Sequence, residues 1–193
     1  MKDIYAVDQN FENTDLVQSP LEKGEYENCT FSNCNFEYTD LSGFTFTDCE
    51  FLGCNLSMVK LAHTAFRNVY FKECKMLGLQ FSECNGFGLF FRFEDCMLNN
   101  SVFYGTSIKK TLFKNSKLIE VDFTDCDLSN SVLKGCDLSG AVFDHSNLEK
   151  ADLRSSFNYS IDPVVNRLKK AKFSLSEVYG LLYKLDIEID KGN

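Results

Sequence analysis

The chain has 193 residues, 44% of them hydrophobic and 25% charged, a composition that excludes disorder, collagen and a membrane span and suits one well-filled core. Its net charge of −8 is uneven: residues 1–56 hold 11 acidic against 2 basic side chains, whereas residues 57–193 hold 17 against 18. The acidity of the first quarter, with no basic stripe along the rest, argues against direct nucleic-acid binding.

The start, Met1-Lys2-Asp3-Ile4-Tyr5-Ala6, lacks the apolar stretch of a secretory signal, and no later apolar run is long enough to span a bilayer, so a cytoplasmic protein without membrane contact is expected. From Phe11 onward a period of five takes over. Phe11, Leu16, Leu21, Tyr26, Phe31 and Phe36 open a series that continues in steps of five through Leu41, Phe51 and Phe71 to Phe81, always large and apolar. Two residues before most of these stands a small one, such as Cys29, Cys34, Thr39, Cys49, Cys54 and Cys74. Side chains two apart in an extended segment share a face, so both sets point inward and the residue between them, often Asp, Asn or Glu, points out.

The period slips within "ECNGFGLFFRFEDC", near residues 82–97, where Gly86 occupies an expected apolar position and Gly88 follows. Two glycines in such a place suit unusual backbone angles, either in a tolerated bulge or in a functional hinge at Gly86 and Gly88. A second series then runs from Leu98 through Phe103, Ile108, Phe113, Phe123 and Phe143 to Leu153. A period of five matches neither helix nor continuous strand, so it requires short extended sides separated by turns.

After residue 155 the pattern dissolves and a cap over residues 156–193 is expected. Asp162-Pro163 predicts a short turn, and Ala171 and Phe173 have the spacing of a last repeat. Ser174-Leu175-Ser176-Glu177 reads as a capping box opening a helix whose Val178, Leu181, Leu182 and Leu185 form an apolar stripe. The segment "DIEI", with Ile187 and Ile189, reads as a short strand. These six apolar residues are the candidate cap and dimer seam.

No catalytic or metal-binding signature accompanies the repeat. All nine cysteines fall at the small inward position, which accounts for them as core residues. His63 and His145 fall outside the inward positions, and no phosphate-binding glycine loop is present. A non-enzymatic protein without cofactor or metal is expected.

The pentads "CDLSN", "CDLSG", "SNLEK" and "ADLRS" resemble the A(D/N)LXX pattern of the pentapeptide-repeat family over about residues 9–155. That resemblance implies an all-β fold, a right-handed quadrilateral β-helix with four repeats per coil, closed by a short C-terminal capping helix. The recurrence of Phe11, Phe31, Phe51 and Phe71, and of Phe103, Phe123 and Phe143, independently favours twenty residues per coil and stacked aromatic ladders. The frame shift in "GFGLFFRFEDC", the acidic exterior and the ending "IDPVVNRL" resemble the quinolone-resistance (Qnr) and microcin-immunity subgroup. For that subgroup the resemblance implies a homodimer through the C-terminal end, binding to DNA gyrase or topoisomerase IV, DNA mimicry, and modulation of the enzyme or protection from quinolones or toxins. The candidate partner-binding acidic residues are Glu12, Asp15, Glu25, Glu37, Asp40, Asp48 and Glu50. A DNA mimic would gather them into stripes on one or two faces. A protein-interaction scaffold with a partner unrelated to DNA enzymes would scatter them, as the repeat frame suggests.

Overall fold

A computed structural model describes residues 4–185 and 187–190. The chain winds as a parallel β-solenoid with four sides. One side is a four-stranded sheet of β1 (Ile4–Val7), β3 (Gly24–Glu27), β5 (Thr45–Thr47) and β7 (Ala65–Arg67). The next is a seven-stranded sheet in the order β2 (Asn10–Glu12), β4 (Thr30–Ser32), β6 (Glu50–Leu52), β8 (Val69–Lys72), β9 (Phe91–Glu94), β10 (Leu112–Lys114) and β11 (Val132–Lys134). The other two sides are columns of isolated parallel bridges, one beginning Asp15–Asn35–Asn55 and one containing Gln80–Val102–Asp122. Bridged residues are 20 apart, as Phe31 and Phe51 are, except across the frame shift, where Phe71 pairs with Phe93.

All members of the two apolar series are buried except Phe11 and Leu21, which lie in the first coil. The expected ladders form. Phe11, Phe31, Phe51 and Phe71 stack with centroid distances of 4.7, 4.8 and 5.0 Å, and the stack continues through Phe93 to Phe113. A second ladder joins Phe81, Phe103, Phe123 and Phe143 at 4.4, 5.4 and 5.2 Å. Rings offset at these distances contribute about 0.5–1.5 kcal/mol per pair beyond their buried area.

The corners rest on a position that the inward pattern does not mark. Two residues after most of the large inward side chains the backbone turns left-handed, as at Asn13, Asn28, Asn33, Asn100, Asn115 and Asn130, where φ lies between 50° and 61°. Asn and Asp tolerate this region better than other residues with a Cβ. Gly53 takes the same position for a second reason as well, since a Cβ there would lie 2.6 Å from Asn33 Oδ1 in the coil below. Met58 occupies such a corner at φ 58° and is exposed. Met58→Gly should therefore raise stability by roughly 0.5–1 kcal/mol, measurable by urea unfolding, because the left-handed strain outweighs glycine's greater chain entropy.

At the frame shift the structure departs from a simple bulge. The ladder leaves register after Asn85, whose N–H donates to Thr64 O, and resumes where Phe90 N donates to Phe66 O. Residues 86–88 project as a small turn with Phe87 80% exposed, and Leu89 returns to the core. Phe91 then turns inward and packs on Phe66 at 5.6 Å, filling the space that Gly86 leaves. The expected unusual angle occurs at Gly88 (φ 72°) and not at Gly86, whose added Cβ would meet nothing within 4 Å. The chain thus carries a short projecting loop at the slip that reads in the sequence as a bulge or a hinge.

The cap is helical but not α-helical. Residues Leu175–Leu181 and Tyr183–Leu185 form two 3-10 segments. No capping box forms, because Ser174 Oγ accepts the N–H of Ser155 from the coil below and the Glu177 carboxylate accepts the hydroxyl of Tyr179. Gly180 presses onto the end coil, where its carbonyl accepts Ile161 N–H at 2.9 Å. This non-local bond takes up an acceptor that an α-helix would use itself. Ile187 and Ile189 belong to no strand, and Asp186, the first residue of "DIEI", lies outside the described residues. The turn after Asp162 and the last repeat do form: Asp162 Oδ1 accepts Val164 N–H, and Lys172 bridges Asp152.

Candidate interaction surface

Every inward position is filled, so the outer columns and the two ends are the surfaces on which a partner can act. Two large concavities lie at the ends. One, of about 730 Å³, is the open first coil lined by Phe11, Leu16, Leu21 and Tyr26; the other, of about 940 Å³, lies on the cap. The shift from an α- to a 3-10 arrangement splits the expected cap stripe. Leu181 packs against the core, whereas Val178, Leu182, Ile187 and Ile189 line the outer groove with Leu175 and Tyr183, and Leu185 is exposed.

The seven candidate acidic residues fall on all four sides. Glu25 belongs to the four-stranded sheet and Asp48 stands at its corner, Glu12 and Glu50 belong to the seven-stranded one, Asp15 and Glu37 share the third side, and Asp40 stands on the fourth. They do not form a stripe. Several are also occupied locally: Asp15 accepts the N–H of Val17 and Asp40 that of Ser42, each two residues on. The same short bond recurs at Asp122, Asp127, Asp137 and Asp152. It is an Asx turn, which rounds the corner after each outward Asp or Asn. Hydrogen bonds from Ser42 hold the Asp40 carboxyl below its ordinary pKa. The Arg154 guanidinium, with two bonds of 2.7 and 2.9 Å, brings that of Asp152 to about 2. The pentad's central Asp or Asn is in these cases a structural acceptor, a role that inspecting residue i+2 for a free N–H would have suggested.

Midway along the rod the seven-stranded side is internally paired. Glu94 accepts Tyr70 Oη–H at 2.9 Å and Lys114 Nζ at 2.7 Å, while Arg92 lies 5.2 Å from the Tyr70 ring centre. His63 and His145 are exposed corner residues. No group of three or more His, Cys, Asp or Glu side chains among the described residues is arranged to hold a metal ion.

Eight of the nine cysteines are buried and Cys84 is half-buried, all as free thiols. Cys54 and Cys74 donate to the carbonyls of Phe31 and Phe51 in the coil below, each at 3.2 Å. Burial pushes the thiols of Cys49, Cys84 and Cys126 up to about 12 and that of Cys136 to about 11. The thiolate is the reactive form, so native protein at pH 8 should leave these thiols unmodified by a disulfide reagent, and all nine should react after unfolding. Rapid modification of the folded protein would contradict that burial.

The repeat geometry is matched by comparison with known proteins. A profile described as "Pentapeptide repeat region" matches residues 44–123, and one described as "Pentapeptide repeats (8 copies)" matches residues 10–48 and 122–156. No curated protein matches the sequence. The fold is similar to trypsin-treated QnrB1, a plasmid-mediated fluoroquinolone resistance protein: one structure has TM-score 0.64 and 20% identity, covering 97% of this chain and 98% of the other. A second such structure has TM-score 0.63 and 19% identity, covering 98% and 100%. At these identities the likeness is one of fold. With repeat profiles spanning residues 10–156 and every coil built on the inward pentad pair, the chain belongs to the pentapeptide-repeat family and resembles Qnr proteins in its fold.

Proposed function

We propose that the protein is a non-enzymatic binding protein that acts through its outer surface on another protein, and that a type II topoisomerase, gyrase or topoisomerase IV, is the partner to test. The observation that carries the first part is the filled interior: side chains that could meet a partner stand in shallow outward columns or at the two ends. The second part is supported by the Qnr-like fold along the whole chain, with its frame shift and its helical cap. Docking through particular columns fits the surface better than imitation of a duplex. Duplex DNA presents about one charge per 1.7 Å along two continuous strands, whereas the acidic residues here are shared among four sides and partly committed to turns. A scaffold for an unrelated partner is favoured by the same scatter. Immobilised protein exposed to purified gyrase subunits separates the two: retention that weakens with salt supports the topoisomerase partner, and none at tens of micromolar leaves the unrelated partner.

Self-association through the C-terminal end is part of this reading, supported by the apolar groove around Val178, Leu182 and Tyr183. Leu182→Asp is expected to lower the sedimenting mass by half without loss of folded signal. Leu181→Asp should instead destabilise the cap, since Leu181 packs inward. An unchanged mass for Leu182→Asp removes the end-on-end dimer.

A further inference from the structure

The four-stranded side and its corner run from an acidic half to a basic half, with an exposed aromatic ring between the two. Its outward column begins Tyr5–Glu25–Thr45–Ala65, and beyond the frame shift it continues Ser107–Asp127–Asn147–Arg167. Phe87 projects between these halves, so it takes the fifth of nine levels, with four on either side. At the strand spacing of about 4.8 Å the column is roughly 38 Å long.

Toward the N-terminus this side is acidic. Asp8, Glu25 and Asp48 are exposed, and Glu27 beside them accepts the Tyr5 hydroxyl. Toward the C-terminus it is basic. Lys109 is neutralised by Asp127 at 3.2 Å and Arg167 by Glu149 at 2.7 Å, whereas Lys110, Lys150, Lys169 and Lys170 are exposed and form no ion pair among the described residues. Acid and base lie at corresponding heights on either side of Phe87: Asp8 is on the first level and Lys170 on the ninth, and Glu25 is on the second and Lys150 on the eighth.

A surface of this kind is complementary to itself. Turning a second copy by 180° about an axis that lies in the plane of this side and crosses the rod at Phe87 turns its face toward the first, sets each acidic half against a basic half and brings the two Phe87 rings together. We infer that this side is a self-association surface on which two copies pair side by side and antiparallel. A two-fold contact satisfies both halves at once, as isologous interfaces do. An external partner would need the same bipolar pattern, whereas a second copy supplies it by symmetry. The pairing leaves the cap groove free, so it is distinct from end-on-end association and independent of the topoisomerase reading. Exposed ion pairs are individually weak, so the contact is one that forms at low ionic strength and is lost when the screening length falls to about 3 Å at 1 M salt.

The test is sedimentation velocity at low salt and at 1 M salt, in a Leu182→Asp background that removes end-on-end contacts. The parent is expected to dimerise at low salt and dissociate at 1 M. A basic-half variant, Lys150→Glu with Lys169→Glu and Lys170→Glu, and an acidic-half variant, Asp8→Lys with Glu25→Lys and Asp48→Lys, should each stay monomeric alone. Mixed in equal amounts they should dimerise again, because both halves of the mixed contact regain opposite charge. Phe87→Ser in the parent should weaken the low-salt dimer at least tenfold. If the Leu182→Asp background fails to fold, the same charge variants in the wild-type chain should remove one association step at low salt. A parent monomeric at both salts, variants that keep its low-salt mass, or a mixture that stays monomeric would overturn the inference.

Discussion

Phe51→Ala is expected to lower the free energy of unfolding by about 3–5 kcal/mol, the range for deleting a fully buried phenylalanine whose surroundings relax only in part. Phe51 is inaccessible to solvent, stacked between Phe31 at 4.8 Å and Phe71 at 5.0 Å, with its edge toward Phe46 at 5.4 Å and Phe36 at 5.7 Å. The sides of this narrow coil are tied to their neighbours by backbone bonds above and below, so collapse into the space is resisted. In a solenoid each coil contacts only the next, so a weak middle coil uncouples the two halves and should also broaden or split the urea transition. Phe11→Ala, at the open first coil where the ring is only half-buried, should cost clearly less. Equal losses at the two positions would mean that the ladder does not act as a stack.

Gly180→Ala is expected to dislodge the cap. Its Cβ would lie 2.2 Å from the carbonyl oxygen of Tyr159 and 2.8 Å from that ring, and backbone on the receiving side cannot swing away. Moving the 3-10 segment outward breaks the Ile161 N–H bond to Gly180 O and lifts Leu181 off the end coil. Overpacking of this kind costs about 1–3 kcal/mol, and limited proteolysis should show earlier cleavage after residue 160. The contrasting substitution is Gly86→Ala. Nothing lies within 4 Å of that added Cβ, and the backbone is not left-handed, so stability should stay level or rise by about 0.4–1 kcal/mol through the unfolded chain. If Gly86 works with Gly88 as a hinge, Gly86→Ala will alter partner binding while leaving unfolding unchanged.

The five-residue period alone places nearly every core residue, because burial on a regular backbone repeats with the backbone. The corner signal is present in the same residues. Asn, Asp and Gly recur two residues after many of the large apolar ones, as at Asn13, Asn33 and Gly53, and only the backbone angles reveal what they are for. The cap is legible as to place and apolar character but not as to helix type. The apparent capping box at Ser174 depends on a free hydroxyl, and that hydroxyl is taken by Ser155, whose proximity arises only from the winding of the coil. The projecting turn at Phe87 is hidden in the same way: Phe91, beyond the break, replaces Gly86 in the core, so counting in fives shows a slip and not a loop. Among the candidate surface residues, outward orientation follows from the repeat. The commitment of Asp15 and Asp40 to Asx turns follows from local backbone geometry.

The central functional claim is tested most directly by a gyrase supercoiling assay titrated with the purified protein, with and without a quinolone, at two salt concentrations. The account predicts inhibition of supercoiling or relief of the drug's effect, weaker at the higher salt because exposed charges on the outer columns contribute to docking. No change in supercoiling or in drug sensitivity at tens of micromolar protein would contradict a topoisomerase partner.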